Sequence, residues 1–167
     1  MTVAQRVTGV LTLRPSVFED IEADKHANAQ AFAVVVLASL AAGLGGGLAG
    51  GALGMVRETV GAVVGWVMWA AVTYILGARL MPERSTHTDM GELLRVIGYS
   101  YAPSFFPHFA GLPFIGYGIR VAVDFWLLAT TVLAVRQALD YTSTVPALPV
   151  VLIGWLIFVG NSCALRA

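Results

Sequence analysis

The sequence predicts an all-α polytopic membrane protein, a bundle of five transmembrane helices preceded by a short amphipathic N-terminal helical segment. Its 167 residues are 57% hydrophobic and 12% charged, whereas about one-quarter of the residues in an average globular chain are charged. Four uncharged runs are each long enough to cross a bilayer, and a fifth is interrupted by Asp124 and Arg136. A net charge of zero gives no basic excess for neutralising nucleic-acid phosphates.

Residues 1–27 are predicted to form a cytoplasmic or interfacial segment. Val3, Val7 and Val10 recur at helical spacing, which is typical of an amphipathic helix that lies on the membrane surface. Arg14-Pro15 ends that helix, and a second short helix begins near Ser16.

The second short helix carries a run of acids. Its apolar residues share one face, so the acids lie on the others. A solvated face explains such a run, and a site for a cytosolic partner or a divalent cation is the alternative. The acids are Glu19, Asp20, Glu22 and Asp24.

The membrane domain covers the whole chain, 1–167. Asp89 and Glu92 form a predicted N-cap pair that opens the helix of the third span. Pro146 suits a helix start. The five predicted spans are residues 28–49, 59–78, 93–112, 119–139 and 146–165.

The distribution of Lys and Arg predicts the orientation. With the N-terminus inside, seven basic residues lie on the cytoplasmic side and three on the other. The positive-inside rule then places the N-terminus in the cytoplasm and the C-terminus outside. We expect the lipid bilayer of a prokaryotic cytoplasmic membrane to surround the protein.

Glycines are concentrated at the end of the first span and recur in the second. A formal G-x-G-x-x-G pattern occurs among them, but no strand precedes it, so a dinucleotide site is rejected. Small residues four apart instead predict close packing of helices, within the chain or between chains. These residues are Gly43, Gly47, Gly50, Gly51, Gly54, Gly61 and Gly65.

The third predicted span contains the densest set of polar residues in apolar surroundings. Pro103 and Pro107 lack the N–H groups that would bond the carbonyls four residues earlier, which leaves those oxygens free. A kinked helix whose polar side chains satisfy the kink is one interpretation, and a polar cavity or lipid-headgroup pocket is the other. The polar set is Arg95, Tyr99, Ser100, Tyr101, Ser104 and His108. The predicted intramembrane site comprises Arg95, Tyr99, Ser100, Pro103, Ser104 and His108 of this span, with Asp124 and Arg136 of the fourth.

The fourth predicted span pairs Arg120 with Asp124 and Arg136 with Asp140, each four residues apart. Asp124 is the deeper acid. An ionisable residue at such depth is costly and marks a functional candidate. An ion pair with Arg120 or Arg95 is the structural alternative.

No catalytic constellation appears in the sequence, so we expect neither enzymatic activity nor a cofactor. His26, His87 and His108 lie in three different segments, which gives no metal-ligand spacing, and Cys163 is the single cysteine.

Several stretches are distinctive together. They are residues 14–21, 29–31 and 91–103, which include Gly98-Tyr99-Ser100, with Trp126 and residues 136–139 further on. In these residues the chain resembles the Yip family of Ypt/Rab-interacting five-span membrane proteins, in its short prokaryotic form. The resemblance implies five helices, a cytoplasmic N-terminus, association with other membrane proteins and a role in membrane organisation or trafficking. The Asp-Leu-Tyr-Gly-Pro motif of eukaryotic members is absent, as is their longer cytosolic N-terminal region, so binding of a Rab-type GTPase is not expected.

Three hypotheses follow. The first is a non-enzymatic membrane protein that acts through helix contacts, as a homo-oligomer or an accessory subunit of a larger assembly. The second is a small transporter or channel with a polar site between the third and fourth spans. The third assigns binding of a cytosolic partner or divalent cation to the acidic run.

Overall fold

A computed structural model describes residues 1–45, 51–106 and 116–164, and the side chains of these residues except 42–45, 116, 117, 120 and 157–164. All regular structure in these ranges is helical, which agrees with the predicted all-α class. By length and composition, Gly51–Leu80 and Val121–Ala138 are candidate membrane spans, and Ala27–Ala41 and Ala147–Leu156 are shorter apolar helices. The count of five spans stays a prediction.

Two short helices form the N-terminal segment, α1 (Val3–Leu11) and α2 (Pro15–Ala23). Leu13, with a φ of 54°, reverses the chain between them, and Pro15 occupies the first turn of α2, where its missing N–H costs no hydrogen bond. Gly9 lies so close to Val17 that a Cβ there would overlap the valine side chain. The segment therefore folds as a tight helical hairpin.

The N-terminal hairpin packs on the rest of the bundle. Val10, Phe18 and Ile21 are fully buried in the hydrophobic core, and α2 contacts both the third and the fourth predicted spans. Arg6, which the sequence places off the apolar face of α1, is buried too. The expected surface helix is thus joined to the bundle through both apolar and charged side chains.

The first two long helices are α3 (Ala27–Gly45) and α4 (Gly51–Thr73), and they pack on each other. α3 also packs along α5 (Met90–Ser100). At this junction a Cβ on Gly98 would lie 2.8 Å from the Ala31 methyl and 3.1 Å from the Trp66 indole nitrogen. The missing side chain at Gly98 lets the three helices approach closely.

A π-helical segment, Tyr74–Leu80, continues α4. Its widened winding is closed by the bond from the Met81 N–H to the carbonyl of Leu76, 2.8 Å long. The Tyr141 hydroxyl lies 3.2 Å from the Gly77 carbonyl and 2.9 Å from that of Met81. The segment is therefore held by the turn that follows the fourth predicted span.

The predicted cap of the third span is confirmed. Asp89 accepts from the Glu92 N–H at 2.8 Å, and the Glu92 carboxylate accepts from the Asp89 N–H at 2.9 Å, a complete capping box. The α-helix ends at Ser100 and a 3₁₀ turn covers Ala102–Phe105, because Pro103 has no N–H to continue the ladder. The remainder of the predicted span lies largely outside the described residues.

The last two helices are α6 (Gly116–Ala138) and α7 (Ala147–Ala164). α6 packs on α5 and the 3₁₀ turn, whereas α7 packs mainly on α4. At one end of the bundle α2, the start of α5 and the end of α6 meet around a cavity lined mostly by polar and charged residues.

Candidate functional site

A buried ionic cluster joins the N-terminal hairpin to the bundle, and we call it the Arg6 cluster. The Arg6 guanidinium donates from Nε to Asp20 Oδ2, from Nη2 to Asp24 Oδ2 and from Nη1 to Gln30 Oε1, each at 2.8 Å. The Tyr99 hydroxyl donates to the same Gln30 oxygen at 2.6 Å. Four helices, α1, α2, α3 and α5, meet at this cluster.

The cluster follows from the helical period. Asp20 and Asp24 are four residues apart, so both carboxylates lie on the face of α2 that meets α1. The Arg6 side chain is 2% exposed, and the two carboxylates are about one-third exposed. The hydrogen bond from Arg6, together with one from the His26 N–H, holds the pKa of Asp24 below its ordinary value.

Arg95, from the predicted polar set, also binds the N-terminal hairpin, through the end of α2. It is 3% exposed, and its Nη2 donates to the backbone carbonyl of Glu22 at 2.6 Å. That carbonyl lies in the last turn of α2, where helix carbonyls lack partners within the helix. Arg95 therefore fastens the C-terminal end of α2 to α5, and Glu22 is the partner described for it, not Asp124.

Ser100 satisfies the end of α5 together with two threonines of α6. The Thr130 hydroxyl donates to the Ser100 carbonyl at 3.0 Å, and the Ser100 and Thr131 hydroxyls lie 3.1 Å apart. The Pro103 carbonyl accepts from the Phe106 N–H at 3.1 Å, so the expectation that it is free is wrong. The 3₁₀ turn supplies the donor that an α-helix would have lacked. These contacts favour the interpretation of a kink satisfied by its polar neighbours.

The other members of the predicted polar set are scattered. Ser104 is half-buried and donates through its backbone N–H to the Tyr101 carbonyl, and His108 lies outside the described residues. Asp124 is exposed on the outer surface of α6, next to Phe125, which is 69% exposed. Trp126 points the other way, and its indole N–H donates to the Leu11 carbonyl. The described residues of the set therefore do not enclose one site.

A second polar region lies on the other side of α2, and we call it the acidic cleft. It is a cavity of about 470 Å³ between α2, the start of α5 and the end of α6. Gln137 donates to Glu19 at 3.1 Å across it. Its lining residues are Glu19, Glu22, Ala23, Glu92, Arg136, Gln137, Asp140 and Tyr141.

Arg136 and Asp140 both line the acidic cleft but are bonded to other groups. α6 ends at Ala138, and Asp140 adopts a left-handed backbone with a φ of 52°. The predicted pair on one helical face is therefore not formed. Arg136 Nε instead lies 3.4 Å from the Tyr141 carbonyl, and Asp140 Oδ2 accepts from the His87 N–H at 3.3 Å.

Glu22 is the titratable group most altered by the acidic cleft. Burial and the negative charges of Asp140 and Glu92 together raise its pKa to about 7, although the positive charge of Arg95 lowers it. The four acids of the run thus have different surroundings, two at the Arg6 cluster and two at the acidic cleft. Among the described residues, no three His, Cys, Asp or Glu side chains are arranged to hold a metal ion.

The predicted packing glycines that the structure describes differ in burial. Gly65 is buried within α4, whereas a Cβ on Gly51 or Gly54 would meet no atom within 4 Å. Gly61 is half-buried. Gly47 and Gly50 lie outside the described residues, and only the backbone of Gly43 is described. Packing between chains at the exposed positions stays a prediction.

Two polar residues of the Arg6 cluster were not singled out from the sequence. Gln30 accepts two hydrogen bonds in the Arg6 cluster, and its donors lie 24 and 69 residues away in the chain. For Arg6 the sequence pattern predicts a position on the solvent-facing side of an amphipathic helix. No local pattern marks either one, because their partners come from other helices.

Residues 8–161 match the family model of the Yip1 domain, which covers nearly the whole chain and both polar sites apart from Arg6. No curated protein and no solved structure matches the chain.

Proposed function

The chain belongs to the Yip1 domain family, and on that premise we propose that it is a non-enzymatic integral membrane protein that acts through contacts between its helices and those of other subunits. The subunits are copies of the same chain or the components of a larger assembly in which it is an accessory protein. The membrane we propose is the cytoplasmic membrane of a prokaryote, and the role is one of membrane organisation.

The observation that carries this proposal is the outer surface of α6, within the candidate membrane span Val121–Ala138. Asp124 and Phe125 are both exposed there, and the Phe125 side chain is 69% exposed. Helices associate in membranes through side-chain packing and through hydrogen bonds between polar side chains. A neighbouring subunit on this surface would cover the Phe125 ring and lie within reach of the Asp124 carboxylate.

The hydrogen bonds of the interior polar residues also favour a protein that acts through subunit contacts over a channel that conducts between α5 and α6. Tyr99 is bonded within the Arg6 cluster, Ser100 is bonded to Thr130 and Thr131, and Arg95 is bonded to the end of α2. These bonds use the polar groups that a channel between α5 and α6 would need for its substrate. The outer surface of α6 is therefore the better candidate for activity.

The arrangement of the helix ends supports an N-terminus in the cytoplasm. The N-terminal hairpin, the loop before α5 and the end of α6 lie together at one end of the bundle, as an orientation with these segments on one side requires. Seven of the ten basic residues belong to these segments in the predicted topology, which favours the cytoplasmic side.

Photo-crosslinking in native membranes tests the proposal. A photoreactive residue at Phe125 on α6 is compared with one at Leu156 on α7, which is similarly exposed at 63%. We expect adducts at residue 125, either at twice the 17.7 kDa of one chain or with a membrane protein identified by mass spectrometry. Asp124→Asn should reduce their yield several-fold.

Glu58→Gln is the matched control, because Glu58 is an exposed acid on α4, and the adducts should survive it. Equal yields at residues 125 and 156, or adducts that are indifferent to Asp124→Asn, would contradict the assignment to α6. Ion flux in proteoliposomes that Asp124→Asn abolishes would favour a channel instead.

A further inference from the structure

The acidic cleft has an arrangement of charges that the proposed function does not use. Three elements meet there, and each contributes a carboxylate. The lining holds four carboxylates and one guanidinium, that of Arg136, so that an excess of negative charge lies between α2, α5 and the end of α6. In the Arg6 cluster, by contrast, each carboxylate of α2 receives a hydrogen bond from a guanidinium. The docking of one short helix therefore depends on opposite electrostatic conditions on its two sides.

Glu22 is the central group of the acidic cleft. It is half-buried in the last turn of α2, and its backbone carbonyl, not its carboxylate, receives the hydrogen bond from Arg95. A negative charge on Glu22 would add to three others in a cavity with partly excluded water, whereas a protonated Glu22 adds none. The charged groups that face it are Glu19 of α2, Glu92 and Arg95 of α5, and Arg136 and Asp140 at the end of α6. The charged residue of α1, Arg6, is bonded on the opposite side of α2.

We propose that the acidic cleft is a pH-sensitive latch: the end of α2 lies close against α5 and the end of α6 when Glu22 is protonated, and the cleft widens there when Glu22 is ionised. The Arg6 cluster retains its ion pairs throughout the neutral range and, together with the buried Phe18 and Ile21, keeps α2 on the bundle in both states. Opening would uncover the polar surface formed by the start of α5 and the end of α6. The latch is independent of the contacts proposed for the outer surface of α6.

The direction of the pH dependence follows from the surroundings of Glu22. Its pKa of about 7 in the closed state lies above the ordinary value of 4.5, so the closed state binds the proton more tightly than the open state. Closure is therefore most favourable at acidic pH and weakens as the pH rises between these two values.

Electron-spin distance measurements on the full chain in liposomes test the latch. Spin labels are placed through Ser16→Cys on α2 and Ser143→Cys after α6, both at exposed positions, with Cys163→Ser to remove the native thiol. With a chelator present to remove divalent cations, we expect one short distance at pH 5.5. Near pH 7 this should change to a longer or broader distribution that dominates at pH 8.5.

Two variants separate the latch from a general effect of pH. Glu22→Gln should keep the short distance at every pH. Asp140→Asn removes a neighbouring negative charge and should move the transition to lower pH, and asparagine tolerates the left-handed backbone of residue 140. Glu58→Gln, far along α4, should leave the midpoint unchanged.

A distance that does not respond to pH, or a Glu22→Gln protein that keeps the wild-type midpoint, would overturn the proposal. A transition that appears only after Mg²⁺ is added would overturn it in favour of a cation site. If Glu22→Gln does not fold, the midpoint of Asp140→Asn still decides, because an unshifted midpoint contradicts a titration of Glu22 beside Asp140.

Discussion

The two sides of α2 differ in how they neutralise charge. Asp20 and Asp24 face the buried guanidinium of Arg6, while Glu19 and Glu22 face other acids across a cavity. All four belong to one stretch of six residues. The difference teaches that a run of acids has no common role, because the helical period distributes it between neighbours of opposite sign.

The two sides also differ in what they depend on. The Arg6 cluster is a structural connection. Loss of a carboxylate takes a partner from the buried guanidinium, and loss of Arg6 leaves two partly buried carboxylates without their guanidinium. The acidic cleft brings several carboxylates together, so the loss of one negative charge there relieves repulsion. Substitutions at the two sites should therefore have effects of opposite sign on stability.

The largest effect is expected for Arg6→Met, which keeps most of the side-chain volume and removes the three hydrogen bonds. Because the carboxylates it leaves are about one-third exposed, we expect a loss of about 2–3 kcal/mol, less than for a fully buried pair. Thermal unfolding of the purified protein in detergent measures it. Arg14→Met is the control, since Arg14 is exposed, and its change should stay within about 0.5 kcal/mol. Equal losses in both variants would remove the special role of Arg6.

Acidification should also weaken the Arg6 cluster, by less than the Arg6→Met substitution does. The pKa of Asp24 is held down by Arg6, so its contribution to stability is present above the ordinary pKa of an aspartate and is lost as the pH falls through the lower folded-state value. Melting temperatures recorded from pH 6 to pH 2.5 should fall, and Asp24→Asn should flatten that fall. On the Glu22 side stability changes in the opposite direction, decreasing as the pH rises toward 7. An identical acid limb in wild type and Asp24→Asn would contradict this assignment.

A smaller loss is expected for Tyr99→Phe. This change deletes the hydrogen bond from the Tyr99 hydroxyl to Gln30 and leaves the ring in the core. The Gln30 oxygen keeps its bond from Arg6, so the cost should be about 1 kcal/mol. Chemical unfolding measures it, and additivity with Arg6→Met in the double variant would show that the two bonds are not coupled.

The smallest effect is expected for Glu19→Gln on the cleft side. Glu19 is exposed and accepts one hydrogen bond from Gln137. A glutamine keeps an acceptor oxygen and removes one of the like charges, so stability should change by less than about 0.5 kcal/mol, in the favourable direction. A loss above 1 kcal/mol in the same unfolding assay would show that the cleft is held by its charges and would remove the contrast between the two sides.

The local features of the fold could be predicted from the sequence. Asp89 and Glu92 correctly predicted the start of α5, and Arg14-Pro15 correctly predicted the break between the two N-terminal helices. Both were predictable because capping and proline effects act over a few residues. The end of α5 was harder to locate. Pro103 was recognised as a disturbance, but the 3₁₀ turn that supplies a donor to its carbonyl is a choice between two windings of similar energy.

The candidate sites could be predicted only in part. Tyr99 and Arg95 were recognised as polar residues in an apolar span, yet their partners lie 69 and 73 residues away. Periodicity places a residue on a face of its own helix but does not say which helix covers that face. For Arg6 the local pattern indicated solvent, and tertiary packing decided otherwise.

The π-helical segment at Tyr74–Leu80 has a consequence for how relatives of this chain should be aligned. Each turn with the wider winding holds one residue more than an α-turn, so the segment absorbs an insertion without moving the helix on either side of it. A relative with one residue fewer here would present the same inward faces before and after it, with ordinary winding between. An alignment that allows no gap in this segment would then shift the inward face of every position on one side of it by about 100°.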